Sequence, residues 1–144
     1  MALIAAQGGR AVAIEADAGN GESVRAMTAR TLAELGRIDV LFNNAGIGKR
    51  GKVHELDEAD WDTIMTVTLK SAFLCSKAVL PHFLERGRGA IVNTASTYGL
   101  LAAPSFVAYC TAKAGIVMLT KSMALDYGPA IRVNSSAPAS PIRR

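Results

Sequence analysis

The chain has 144 residues, half of them hydrophobic and 19% charged, with a net charge of +4. This is the balance of one packed domain, long enough to bury about two-thirds of its unfolded surface, and it excludes a disordered chain. The basic residues are scattered, apart from Arg143 and Arg144 at the end, so no clustered stripe marks a nucleic-acid surface.

No apolar run reaches the roughly eighteen residues that would mark a bilayer span. The start, Met1 to Ala6, is too short for a secretion signal and has no basic residue before it. Neither a membrane nor a nucleic acid is therefore expected as a partner. Cys75 and Cys110 fall in predicted helices without disulfide or ligand spacing, as reduced thiols of a cytoplasmic protein would. His54 and His82 stand alone, and no metal site is expected.

In chain order, Met1 to Gln7 predicts a scrap of helix closed by Gly8-Gly9. Ala11-Val12-Ala13-Ile14 reads as a short buried strand, with Asp17-Ala18 at its carboxyl end, where open parallel sheets bind ligands. Asp17 alone reads equally well as a turn or capping acid. Val24, Met27, Thr31 and Leu35 fall at helical intervals over 22–35, and Gly36 ends that helix. Val40-Leu41-Phe42 follows as a second strand, giving a strand–helix–strand unit with a parallel crossover expected.

Asn43 and Asn44 come next, two amides able to satisfy neighbouring backbone groups or to bond a ribose, and Gly46 lets backbone and ligand approach closely. Gly46 to Gly51 also matches G-x-G-x-x-G after a strand. That fingerprint needs a helix to open at once and an acid about twenty residues on. Lys52 to Glu55 intervene here, and positions 66–70 hold no acid, so a loop at the sheet's rim is the better account.

Asp57 is a good N-cap, with Asp60 three residues on in a capping-box-like arrangement, and the helical pattern runs from Trp61 to Phe83. Pro81 should weaken or kink its end. Ala90 to Ala95 is a third strand. Pro104-Ser105 opens a long helix to Tyr127, closed by Gly128-Pro129, and Ile131 to Asn134 is a fourth strand.

Between the third strand and the long helix stands Ser96; Tyr109 follows in the helix, with Lys113 four residues beyond. A four-residue step puts Tyr109 and Lys113 on one helix face. A phenol with a pKa of roughly 10 is a poor acid–base catalyst near neutrality, and a neighbouring ammonium favours the phenolate. Ser96 could hold a substrate oxygen beside that phenol. A bare Y-x-x-x-K is more often a buried tyrosine and a surface lysine; the surrounding residues give it weight here.

Those surroundings are Asn43-Asn44-Ala45-Gly46 after a strand, Ser96, Tyr109-x-x-x-Lys113, and Arg132-Val133-Asn134 leading to Ala137-Pro138. In this order and approximate spacing they make the chain resemble a short-chain dehydrogenase/reductase from about Gly9 to Pro138. The resemblance implies an α/β fold, a single truncated Rossmann-type domain over 1–144 with a partial doubly wound parallel sheet of about four strands flanked by helices. It implies NAD or NADP as cofactor and a small-molecule carbonyl or alcohol as substrate. Tyr109 would exchange the proton, Lys113 would support it and hold the nicotinamide ribose, and Ser96 would orient the substrate. Asp17 and Ala18 would face the adenine, while Asn43, Asn44, Ala45, Gly46 and Pro138 would line the rest of the cofactor site.

The sequence departs from the family pattern at several places. Thr68 stands where the family has a catalytic asparagine that shapes its helix and fixes a water of the proton relay; threonine keeps a hydroxyl but loses the amide's reach and second polar atom. Ala139 follows Pro138 where glycine is usual. The T-G-x-x-x-G-x-G turn, whose helix N-terminus binds the pyrophosphate, and the C-terminal substrate lid are absent from these residues. An uncovered sheet edge is expected to favour self-association, and the resemblance places homo-oligomer contacts on the helices near 57–86 and 104–127. Two functions follow as expectations: a Ser-Tyr-Lys oxidoreductase, or a catalytically inactive relative acting only through self-association.

Overall fold

The computed structural model describes residues 2–138; Met1 and residues 139–144, including Ala139, lie outside the described residues. Helix α1 (Ala2–Ala6) and helix α2 (Gly21–Leu35) precede strand β1 (Val40–Asn43). A long helical stretch follows, made of α3 (Glu58–Ile64), a π-helical turn over Met65–Lys70, and α4 (Ser71–Arg86). Strand β2 (Gly89–Thr94), a 3-10 turn (Thr97–Gly99), helix α5 (Val107–Tyr127) and strand β3 (Ile131–Ser136) complete the order.

The three strands form one parallel sheet in the order β1-β2-β3, with Asn43, Asn93 and Ser135 in one register row. The α/β class and the parallel sheet agree with expectation. The strand count differs, because Ala11 to Ile14 forms no strand. A strand exists through the neighbour that pairs its backbone groups, and no strand pairs with this segment among the described residues.

Side chains alternate across a sheet, and here the alternation separates a covered face from a bare one. Ile91, Ile131 and Val133 pack with Val79, Leu80 and Phe83 of α4 and Met123 of α5 in the main core. By length and composition the helical stretch 58–86 is apolar enough to cross a bilayer, but Ala72, Cys75, Val79, Leu80 and Phe83 are buried in this fold. On the opposite sheet face Val40 and Phe42 are 59% and 58% exposed. The architecture is half of a doubly wound sheet.

Local signals explain most helix ends. Asn20 caps α2 by accepting from the backbone N–H of Glu22 and Ser23, and Gly36 closes it at φ 79° with its N–H on Leu32 O. Asp57 precedes α3 without a side-chain cap bond, so the expected capping box does not form, and Asp60 pairs with Lys49. Pro81 sits inside α4, which continues to Arg86. Helix α5 opens at Val107, later than Pro104, because Ser105 takes a φ of 59° and its carbonyl accepts Gly51 N–H at 2.8 Å. The segment Asn44–Arg50 has no regular structure and leads into no helix, so the G-x-G-x-x-G match is a loop.

Candidate active site

The predicted catalytic residues meet beyond the carboxyl ends of β1 and β2, where parallel sheets place their ligand sites. Ser96 lies two residues past the end of β2, buried, and its Oγ accepts Tyr98 N–H at 3.2 Å to start the 3-10 turn. That turn lies on α5: a Cβ on Gly99 would fall 2.6 Å from Lys113 O, a distance only glycine permits. Tyr109 and Lys113 come from the first two turns of α5, with the Lys113 Nζ 5.7 Å from the Tyr109 ring centre. The rings of Tyr98 and Phe106 pack against Tyr109 at 6.4 and 6.2 Å.

Lys113 is only 3% exposed, and its Nζ donates to Thr94 O at 2.5 Å. This is no surface lysine on an amphipathic helix. Burial disfavours the ammonium and pushes its pKa below the usual lysine range. Thr94 also reaches across the strand ends, its Oγ1 donating to Asn44 Oδ1 at 2.9 Å.

Asn43 and Asn44 divide their work. Asn43 points into the fold, its Nδ2 donating to Asn93 Oδ1 at 2.9 Å and to Ser76 Oγ at 3.2 Å. Asn44 is exposed beside Thr94, as are Ala45 and Gly46. Gly46 is pressed against Lys113, since a Cβ there would lie 3.3 Å from Lys113 Nζ. Gly48 abuts the phenol ring, where a Cβ would fall 2.9 Å from Tyr109 Cδ2.

The outlying residues are less gathered. Asp17 Oδ1 accepts Gly19 N–H at 2.8 Å within its own turn, and Ala18 follows half-buried. That turn still borders the site's helix, because a Cβ on Gly19 would meet Thr66 Cγ2 at 2.7 Å. Pro138 is exposed, with its carbonyl accepting Thr97 N–H at 3.4 Å. Thr68 is buried and bonded to Ile47. Sequence reasoning missed Asn93, Thr94 and Thr120 as site supports. Thr120 lies seven residues past Lys113, two helical turns along the same face, which is a signal the sequence carried.

A family model described as short chain dehydrogenase matches residues 1–140. The chain is 44% identical over 134 residues to (2S)-[(R)-hydroxy(phenyl)methyl]succinyl-CoA dehydrogenase subunit BbsD of Thauera aromatica, covering 92% of this chain and 54% of that one. It is 43% identical over 132 residues to meso-2,3-butanediol dehydrogenase of Serratia marcescens, covering 91% and 52% respectively. The crystal structure of a short chain dehydrogenase from Mycobacterium smegmatis matches with a TM-score of 0.89 at 36% identity, over 94% of this chain and 57% of that chain. The chain spans about half the length of the relatives it matches. With the family's fold and sequence pattern both present, the chain belongs to the short chain dehydrogenase family.

Proposed function

We propose that this oxidoreductase-family chain supports NAD- or NADP-dependent interconversion of a carbonyl and an alcohol, with Tyr109, Lys113 and Ser96 as its chemical centre. The observation that carries this reading is the buried Lys113 ammonium beside Tyr109, held on Thr94 O. A buried charge costs stability unless it is paired, so a lysine kept there with a single carbonyl partner suits a functional use.

In the reducing direction the Tyr109 phenol gives its proton to the substrate oxygen, and in oxidation the phenolate takes it back. Such general acid–base help is worth about 10² to 10⁴ in rate. Lys113 offsets the phenolate's charge, and the Ser96 hydroxyl orients and polarises the same substrate oxygen. A nicotinamide cofactor fits the chemistry of the available donors. Lys113 keeps ammonium protons free for ribose oxygens, exposed Asn44, Ala45 and Gly46 can take the adjoining groups, and Asp17, Ala18 and Pro138 can line its two ends. The cofactor supplies or accepts the hydride when bound. Its substrate is a small-molecule carbonyl or alcohol.

Replacing Tyr109 by phenylalanine tests the assignment. Turnover of a carbonyl panel should fall by at least 10²-fold with the fold and cofactor binding retained. Undiminished turnover would remove Tyr109 from the mechanism.

A further inference from the structure

We propose that Arg37, Arg88 and Arg132 form a binding site for an oligophosphate group at the amino ends of the strands. The proposal is independent of the catalytic reading, because this site lies at the opposite end of the sheet from Tyr109 and Lys113.

The three arginines are distant in the sequence, and the fold gathers them. Arg37 precedes β1, Arg88 stands in the turn between α4 and β2, and Arg132 is the second residue of β3. All three line one cavity of about 390 Å³. Cavities that hold small ligands begin at roughly 300 Å³.

Local structure shapes this cavity. At the end of α4, Gly87 takes a φ of 65°, and the N–H groups of Gly87 and Arg88 bond Leu84 O and Phe83 O at 3.1 and 3.2 Å. This paired closure at a left-handed glycine stops the helix and fixes the backbone of Arg88. In the sheet, Val40, Ala90 and Arg132 share one register row on the bare face. The middle side chain of that row is only a methyl group, and neighbouring strands lie about 4.8 Å apart. Ala90 therefore leaves a hollow between Val40 and Arg132.

The wall of the hollow carries unbalanced charge. Asp39 is the one carboxylate lining it among the described residues, and it is already engaged. Arg86 Nη2 donates to Asp39 Oδ1 at 3.1 Å, and Arg37 Nε donates to Oδ2 at 2.9 Å. Those bonds, from Arg86 first and then Arg37, hold the Asp39 carboxyl below its ordinary value. Arg88 and Arg132 are exposed and pair with no acid among the described residues. Three guanidiniums against one occupied carboxylate leave the wall positive, a field that draws anions.

The kind of cation narrows the ligand. Every cation lining the cavity is an arginine. A guanidinium offers a planar fork that takes phosphoryl oxygens in pairs, where an ammonium acts as a point charge. Forks supplied by three separate elements suit an anion whose charge is spread along a chain of phosphoryl groups.

Calorimetric titration of the 144-residue chain with tripolyphosphate, a probe without nicotinamide, tests the site. Saturable one-site binding is expected. Arg88→Gln and Arg132→Gln should each weaken it about tenfold, the loss of roughly one charge-assisted contact. Both side chains are exposed, so these variants should keep the fold. Lys52→Gln removes the same charge next to Gly51, which bridges to Phe106 at the sheet's other end, and should bind as the wild type does. ATP binding no tighter than tripolyphosphate would assign the site to the oligophosphate alone, and tighter ATP binding would assign it to the phosphate tail of a nucleotide. The proposal is overturned by an absence of saturable binding, by undiminished affinity in both arginine variants, or by an equal loss in Lys52→Gln. Inorganic phosphate binding as tightly as tripolyphosphate would overturn it too.

Discussion

Asn93 donates its side-chain N–H to Thr120 Oγ1 at 2.9 Å, fully inside the protein, while its Oδ1 accepts from Asn43. This pair joins β2 to α5 one strand residue before Thr94, whose carbonyl holds Lys113. Through Asn43 the network continues to β1 and to Ser76 on α4. Four elements are thereby fixed at the level of the site.

Thr120→Val keeps the shape of the side chain but leaves the Asn93 amide without its acceptor. An unsatisfied buried donor costs about 1–3 kcal/mol. The variant's urea midpoint should fall accordingly, and Thr120→Ser should recover most of the loss. A valine variant as stable as the wild type would show that the bond contributes nothing.

Lys113→Met should separate stability from function. Burial lowers the Lys113 pKa in the folded protein below the unfolded value near 10.5. The unfolded chain therefore binds more protons between those two values, and stability rises with pH through that window. At pH 7 the buried ammonium costs stability, so the methionine variant should be the more resistant to urea. That advantage should shrink as pH rises towards 10.5. An advantage that grows with pH would contradict the sign. Cofactor binding should be lost in the variant at every pH.

Self-association is the third expectation. The bare sheet face shows Val40 and Phe42, and the α4 and α5 surfaces show Phe73, Leu84, Met118 and Leu125. Exposed apolar area of this kind marks contact surfaces. Sedimentation of the 144-residue chain should find dimers or larger species, and a single monomeric boundary across the micromolar range would count against it.

Much of this was legible in the sequence because the signals are local. Gly36 and the apolar interval in α2 set that helix, and the four-residue step from Tyr109 to Lys113 put both on one face. Ala11 to Ile14 misled because a strand needs a neighbour as well as a pattern. The start of α5 misled because Ser105 is held by Gly51, far away in sequence. Lys113's burial and Thr68's turn towards Ile47 depend on how a loop packs against two helices, which no single stretch encodes. At Thr68 the sequence suggested an impaired relay; in the fold its hydroxyl bonds the backbone N–H and carbonyl of Ile47.

The most direct test of the central claim is a titration of the folded chain with NADH and with NADPH, followed by nicotinamide fluorescence, alongside Lys113→Met. Saturable binding in roughly the micromolar range where KM values commonly lie, lost in the variant, is the predicted result. A folded wild type that binds neither nucleotide, or a variant that binds as well, would contradict it.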